Sequence, residues 1–103
     1  MYVTILTGKV SRENWLPLEQ SYNVAIKKRP DGLLQSFLLH AEDHSHLWQI
    51  VTLWRSKETY QQAHSQNLTE TCTQLFCEMG SIPELTTYSM VKFFQNSMQM
   101  AMV

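Results

Sequence analysis

The stretch Leu47-Trp48-Gln49-Ile50-Val51-Thr52-Leu53-Trp54, followed almost at once by Ser56-Lys57-Glu58, reads as a strand that runs directly into a helix. Strand side chains alternate between two faces, which puts Trp48, Ile50, Thr52 and Trp54 on one side and Leu47, Gln49, Val51 and Leu53 on the other. Both sides are largely apolar, so neither can look into water. Ser56 supplies a helix N-cap, followed by charged and good helix-forming residues in the first turn. A chain of 103 residues is large enough for one core but not for two. A sheet apolar on both sides must therefore find a second cover.

The rest of the chain supplies the other parts of one domain. Residues 2–10 alternate and read as a first strand. A helix follows, starting near Asn14 to Leu16, with Pro17 tolerable in its first turn and a stripe of Leu18, Tyr22, Ala25 and Ile26 at helical spacing. Pro30-Asp31-Gly32 breaks it. Residues 33–41 form a second strand, with Leu33, Phe37 and Leu39 on one face and Leu34 and Leu38 on the other. The polar turn Glu42-Asp43-His44-Ser45 then returns the chain as a hairpin. After a short helix over residues 56–65, Asn67 with Glu70 reads as a capping box for another, whose stripe is Leu68, Cys72, Leu75, Phe76 and Met79. Gly80 ends that helix, and residues 86–94 read as the last strand. Met98, Met100 and Met102 alternate in a tail over 95–103 that is expected to pack on a partner subunit.

This order, βαββααβ, predicts an α+β ferredoxin-like sandwich: an antiparallel sheet with helices on one face, over residues 1–94. A second copy is the simplest cover for the other face, so a homodimer is expected.

Hydrophobic residues make up 44% of the chain and charged ones 17%, the balance of an ordinary globular domain. A net charge of −1 gives no field to attract nucleic acid or an anionic membrane, so neither is expected as a partner. Lys27-Lys28-Arg29 falls where the first helix should end, and complements the helix dipole there. No apolar run approaches the length of a membrane span. The N-terminus lacks a signal peptide's basic and long apolar regions, which predicts a cytoplasmic location. Cys72 and Cys77, five residues apart in a helix, are poorly placed for a mutual disulfide and read as free thiols. His40, His44 and His46 cluster at the hairpin turn, but without a Cys or a well-spaced fourth ligand they do not make a metal set.

Trp54-Arg55-Ser56-Lys57-Glu58-x-Tyr60 after a hydrophobic strand, with Gly80-Ser81-Ile82-Pro83 leading to the last strand, resembles the antibiotic biosynthesis monooxygenase domain of the dimeric α+β barrel superfamily. The resemblance covers about residues 1–94. It implies a dimer with a cavity for a small apolar or aromatic ligand, and oxygenation without a cofactor. In relatives that oxidise polycyclic phenols, a Trp and a Tyr at the spacing of Trp54 and Tyr60 line that cavity. This implies Trp54 as a substrate-binding wall and Tyr60 as a catalytic hydroxyl. Many relatives place a His nine residues after the Trp; here that position is Ala63, and His64, one step on, is the second catalytic candidate. Ile50 and Gln74 stand where the phenol oxygenases carry an Asn and an Arg, and Thr7 where the haem-degrading branch has an Asn. Ile50 and Thr7 are thus the further substrate-site positions. No His occurs in residues 68–79 to ligate haem iron as that branch requires, which argues against haem degradation. The expected activity is that of a small monooxygenase acting on an aromatic or quinol-type molecule. The alternative is a non-catalytic dimeric module binding an apolar metabolite, with Trp54 and Tyr60 serving as packing residues.

Overall fold

The computed structural model describes residues 1–96. Strand β1 (Tyr2–Lys9) leads through a 3₁₀ turn (Arg12–Asn14) into helix α1 (Trp15–Ala25), which ends in a second 3₁₀ turn (Ile26–Lys28). The hairpin β2 (Leu33–His40) and β3 (Leu47–Trp54) follows, then α2 (Lys57–Ser65), α3 (Glu70–Glu78) and β4 (Glu84–Ser89). The strands form one antiparallel sheet in the order β2-β3-β1-β4, the ferredoxin-like arrangement expected from the element order. Among the described residues no helix is long and apolar enough to cross a membrane.

Each helix takes its ends from local chemistry. Ser56 caps α2 as expected: its hydroxyl accepts from the Thr59 N–H at 3.1 Å, and the Thr59 hydroxyl accepts from the Ser56 N–H at 3.1 Å. Asn67, expected to cap α3, belongs instead to the end of α2. It sits in the left-handed region at φ 61°, its N–H donates to the His64 carbonyl, and the Leu68 N–H donates to the Ala63 carbonyl. These two bonds are the Schellman pattern, and Asn is the residue after Gly that best tolerates the conformation. Thr69 is the N-cap of α3, without a side-chain cap bond. Gly80 closes α3 in the same manner at φ 79°, with Gly80 N–H to Cys77 O and Ser81 N–H to Phe76 O.

The helix-covered sheet face holds the core. Val10, Leu18, Trp48, Ile50, Leu75 and Phe76 form its main cluster, with Leu6, Trp15, Tyr22, Leu38 and Cys72 packed around it. A smaller cluster joins Tyr2, Trp54 and Ala63 to Leu33 and Tyr60. The two faces of β3 alternate as read from the sequence, but β2 departs from its expected alternation. Its register shifts between Leu33 and Gln35, so Leu33 pairs with Trp54 and shares the helix face with Leu38. Such a bulge inverts the parity of everything beyond it, leaving Phe37 and Leu39 on the other face.

The last strand also differs from its expected span of residues 86–94. It begins at Glu84, opposite Thr7, and its ladder ends at Ser89, opposite Tyr2, with Met90 N–H to Met1 O just beyond. A strand persists only while it has a neighbour to pair with, and Val91 (88% exposed) and Phe94 (80% exposed) lie past β1. The tail methionines Met98, Met100 and Met102 lie outside the described residues.

The uncovered sheet face presents Phe37, Leu39 and Tyr88 to solvent beside half-buried Val3, Ile5 and Val51. At the hairpin end, the His40 and His46 rings both lie beside Trp15, at 4.6 and 6.3 Å between centroids, and each has its own hydrogen bond. The His40 ring stacks on Trp48 at 4.1 Å and 6° and its Nε2–H donates to the Ser45 carbonyl at 2.6 Å; His46 Nδ1–H donates to the Val10 carbonyl at 3.2 Å. Among the described residues no three His, Cys, Asp or Glu side chains are grouped to hold a metal.

Candidate ligand-binding site

A cavity of about 80 Å³ lies between the helix-covered sheet face and the helices. Its floor is built by strand residues of matching parity: Thr4 and Leu6 from β1, and Ile50, Thr52 and Trp54 from β3. Tyr22 and Ala25 of α1 form one wall, Tyr60 and His64 of α2 another, and Cys72 and Thr73 of α3 a third. Lys28, Arg29 and Pro30 border it where the first helical segment ends. The free space is room for on the order of five waters.

Trp54 is fixed from below. It is 3% exposed, and its indole N–H donates to the Thr4 hydroxyl at 3.0 Å in a buried bond between neighbouring strands. Tyr60 meets it edge to face, with ring centroids 5.3 Å apart and planes at 68°, and lies 5.5 Å from the Tyr2 ring. His64, one helical turn on, stacks against Tyr60 at 5.8 Å and 20°. Its Nδ1 shares a hydrogen bond with the Thr69 hydroxyl at 2.9 Å, which orients an otherwise exposed ring at the rim. On the far wall the Tyr22 hydroxyl donates to Ser36 Oγ at 2.8 Å.

Burial raises the Tyr60 phenol above its ordinary value, and the neighbouring Tyr2 phenol adds to that. Tyr60 therefore remains a neutral hydroxyl at physiological pH, able to donate a hydrogen bond to a ligand oxygen but unsuited to act as a base. Burial also raises the Cys72 thiol, so this sulfur faces the cavity in its unreactive protonated form.

The fold thus brings Trp54, Tyr60, His64 and Ile50 together around one space. Thr7 is elsewhere: it pairs with Gln49, whose side-chain amide donates to its hydroxyl at 3.2 Å, on the opposite face of the sheet. Its odd position relative to Leu6 explains the separation. Gln74 is exposed and does not border the cavity. Sequence reasoning overlooked Thr4 and Thr52, although period-two counting from Trp54 and Tyr2 reaches both. Nothing in the spacing of Lys27-Lys28-Arg29 shows that its last two residues reach the cavity.

No family model matches the sequence, and neither does any curated protein. The fold, in contrast, has many solved counterparts. A mutant of MhuD with two manganese protoporphyrin IX molecules bound per active site superposes with a TM-score of 0.72 at 18% identity, over 93% of this chain and 100% of that one. A candidate antibiotic biosynthesis monooxygenase from Deinococcus radiodurans gives 0.70 at 16% identity, over 93% and 98%. SnoaB, a cofactor-independent oxygenase from Streptomyces nogalater, gives 0.68 at 13% identity, over 92% and 98%. The likeness spans nearly the whole of each chain, and at these identities it concerns the fold. This chain therefore has the ferredoxin-like α+β fold of the antibiotic biosynthesis monooxygenases.

Proposed function

We propose that this protein is a small cofactor-independent oxygenase acting on a flat aromatic or quinol-type molecule. The observation that carries the reading is the apolar cavity in which the Trp54 indole, the Tyr60 hydroxyl and the His64 imidazole share one side. The ligand lies against Trp54. The Tyr60 hydroxyl donates to the oxygen substituent on its ring, and His64 at the rim takes a proton from the C–H of the ring CH₂ para to that oxygen, leaving the electron pair in the ring, and passes the proton to solvent. Holding the resulting electron-rich anion in an apolar site readies it for O₂. In the net reaction a ring CH₂ para to the activated oxygen becomes C=O. One oxygen atom enters the product, the other leaves as water with the two hydrogens, and all four electrons come from the substrate. No metal or flavin is required by that balance.

A second copy covering the face that carries Phe37, Leu39 and Tyr88 belongs to the same proposal, since so much apolar surface on one side suits an isologous contact.

Ile50 favours a second reading. It is 1% exposed and makes the cavity floor apolar where the phenol oxygenases carry a polar residue, which suits a module that binds an apolar metabolite without transforming it. Oxygen uptake with a panel of anthrones and dihydroxynaphthalenes, run beside tryptophan-fluorescence quenching by the same compounds, separates the two. Saturable quenching with substrate-dependent O₂ consumption is the result expected of an oxygenase. Quenching with no consumption across the panel overturns the oxygenase reading in favour of the module.

A further inference from the structure

The described lining of the cavity carries charge of one sign. Among the described side chains that border it, Lys28 and Arg29 are cationic, and no Asp or Glu is present. The whole chain does not share this bias, having 8 basic against 9 acidic residues. Neither cation is paired with another described side chain, and both are exposed at the mouth. Their position has a local cause. Pro30 excludes Arg29 from helical geometry, and Arg29 is accordingly extended at φ −64° and ψ 143°, which ends the 3₁₀ turn and carries the chain along the cavity edge.

Neutralising the helix dipole does not use up this charge. A helix C-terminus presents about half a negative charge, against two full positive ones. Helix α3 reaches the same space through Thr69, Cys72 and Thr73. An apolar space with two cations at its rim is complementary to a molecule that is flat and apolar at one end and anionic at the other.

We propose that the ligand of this cavity is an aromatic carboxylate, with its rings against Trp54 and Tyr60 and its carboxylate at the Lys28–Arg29 rim. The proposal rests on the cavity being a ligand site, as argued above, and adds the class of compound it selects. Lys28 and Arg29 act as specificity determinants, rejecting neutral and cationic analogues by leaving the rim charge unmatched.

The test uses 2-naphthoate and its neutral methyl ester as probes, read by tryptophan-fluorescence quenching of the full chain. The carboxylate is expected to bind about tenfold more tightly than the ester at low salt, the combined effect of two exposed cations. That preference should shrink at about 0.5 M salt, because exposed charges are screened over a few ångströms there. Replacing both cations (Lys28→Gln with Arg29→Gln) should weaken naphthoate about tenfold and leave the ester within about twofold. Equal binding of the two probes to the unmodified protein overturns the proposal while leaving the cavity as a ligand site. A naphthoate preference that survives the double substitution overturns the assignment to these residues. If neither probe binds, the ligand-site reading falls and the proposal with it. The salt titration needs no variant, so a failure of the double substitution to fold does not remove the test.

Discussion

The indole N–H of Trp54 and the hydroxyl of Thr4 are joined by a buried 3.0 Å hydrogen bond that ties the end of β3 to the adjacent strand β1 beneath the cavity. The bond fixes the rotation of the large ring that forms the cavity floor, and it places a polar contact where the surroundings are apolar. Its energetics are therefore asymmetric: removing one partner costs more than removing both.

Thr4→Val leaves the Trp54 N–H buried without an acceptor and is expected to destabilise the fold by about 1–3 kcal/mol. Trp54→Phe alone costs more, since it also removes part of a ring that is 3% exposed. The two changes together should cost less than their sum. Urea unfolding of the four proteins measures the coupling, and strict additivity would show that the bond contributes nothing.

Gly8 faces the ring of Phe76, where a Cβ would stand 2.5 Å from Cδ1 of a fully buried side chain. Gly8→Ala is expected to destabilise by about 1–3 kcal/mol through overpacking. Adding Phe76→Leu should recover part of that loss despite the smaller side chain, because it vacates the contested space. Denaturant midpoints decide the point, and a Gly8→Ala protein as stable as the parent would mean that helix α3 yields freely.

Tyr60→Phe retains the edge-to-face contact with Trp54 and removes only the hydroxyl. Quenching by apolar ligands should persist within about threefold, while any O₂ uptake falls by an order of magnitude or more, the usual scale for a lost hydrogen-bond donor to a reacting oxygen. If uptake is unaffected, the hydroxyl has no part in the chemistry.

The folded state should lose stability as the solution becomes alkaline. The Cys72 thiol is raised by burial above its ordinary 9.0, and the Tyr60 phenol above 10.0. For each, the unfolded chain ionises first, so the folded protein binds more protons at high pH and the unfolding free energy declines there. The contributions of both groups are complete below pH 9 and fade above it, Cys72 first. Cys72→Ala should flatten the part of the stability curve that begins near pH 9. An unchanged alkaline limb in thermal melts taken from pH 8 to 10.5 would argue against a desolvated thiol.

The uncovered sheet face predicts self-association. Phe37→Asp puts a charge at the centre of an apolar surface, and light scattering at micromolar concentration should then report half the mass found for the parent protein. A monomeric parent would remove the second copy from the proposal.

Several of these relationships were legible in the chain itself. The period-two pattern of residues 47–54 sets Ile50, Thr52 and Trp54 on one face, and the spacing from Trp54 to Tyr60 across a capped helix start brings both to one cavity, because alternation and helical pitch are local geometry. The element order likewise determined the ferredoxin-like topology, since short connections leave few ways to pair four strands. Other positions depended on partners remote in sequence. The bulge after Leu33 answers to its pairing with β3, and β4 ends at Ser89 because β1 offers nothing beyond Tyr2 to pair with. Asn67 left the start of α3 for the end of α2 because the left-handed turn there needs it. Only the tertiary structure turned Lys28 and Arg29 from the end of one helix into the rim of a space lined by all four strands and by α2 and α3. A cavity is the gap left between surfaces, and its charge is the sum over chain segments that sequence order keeps apart.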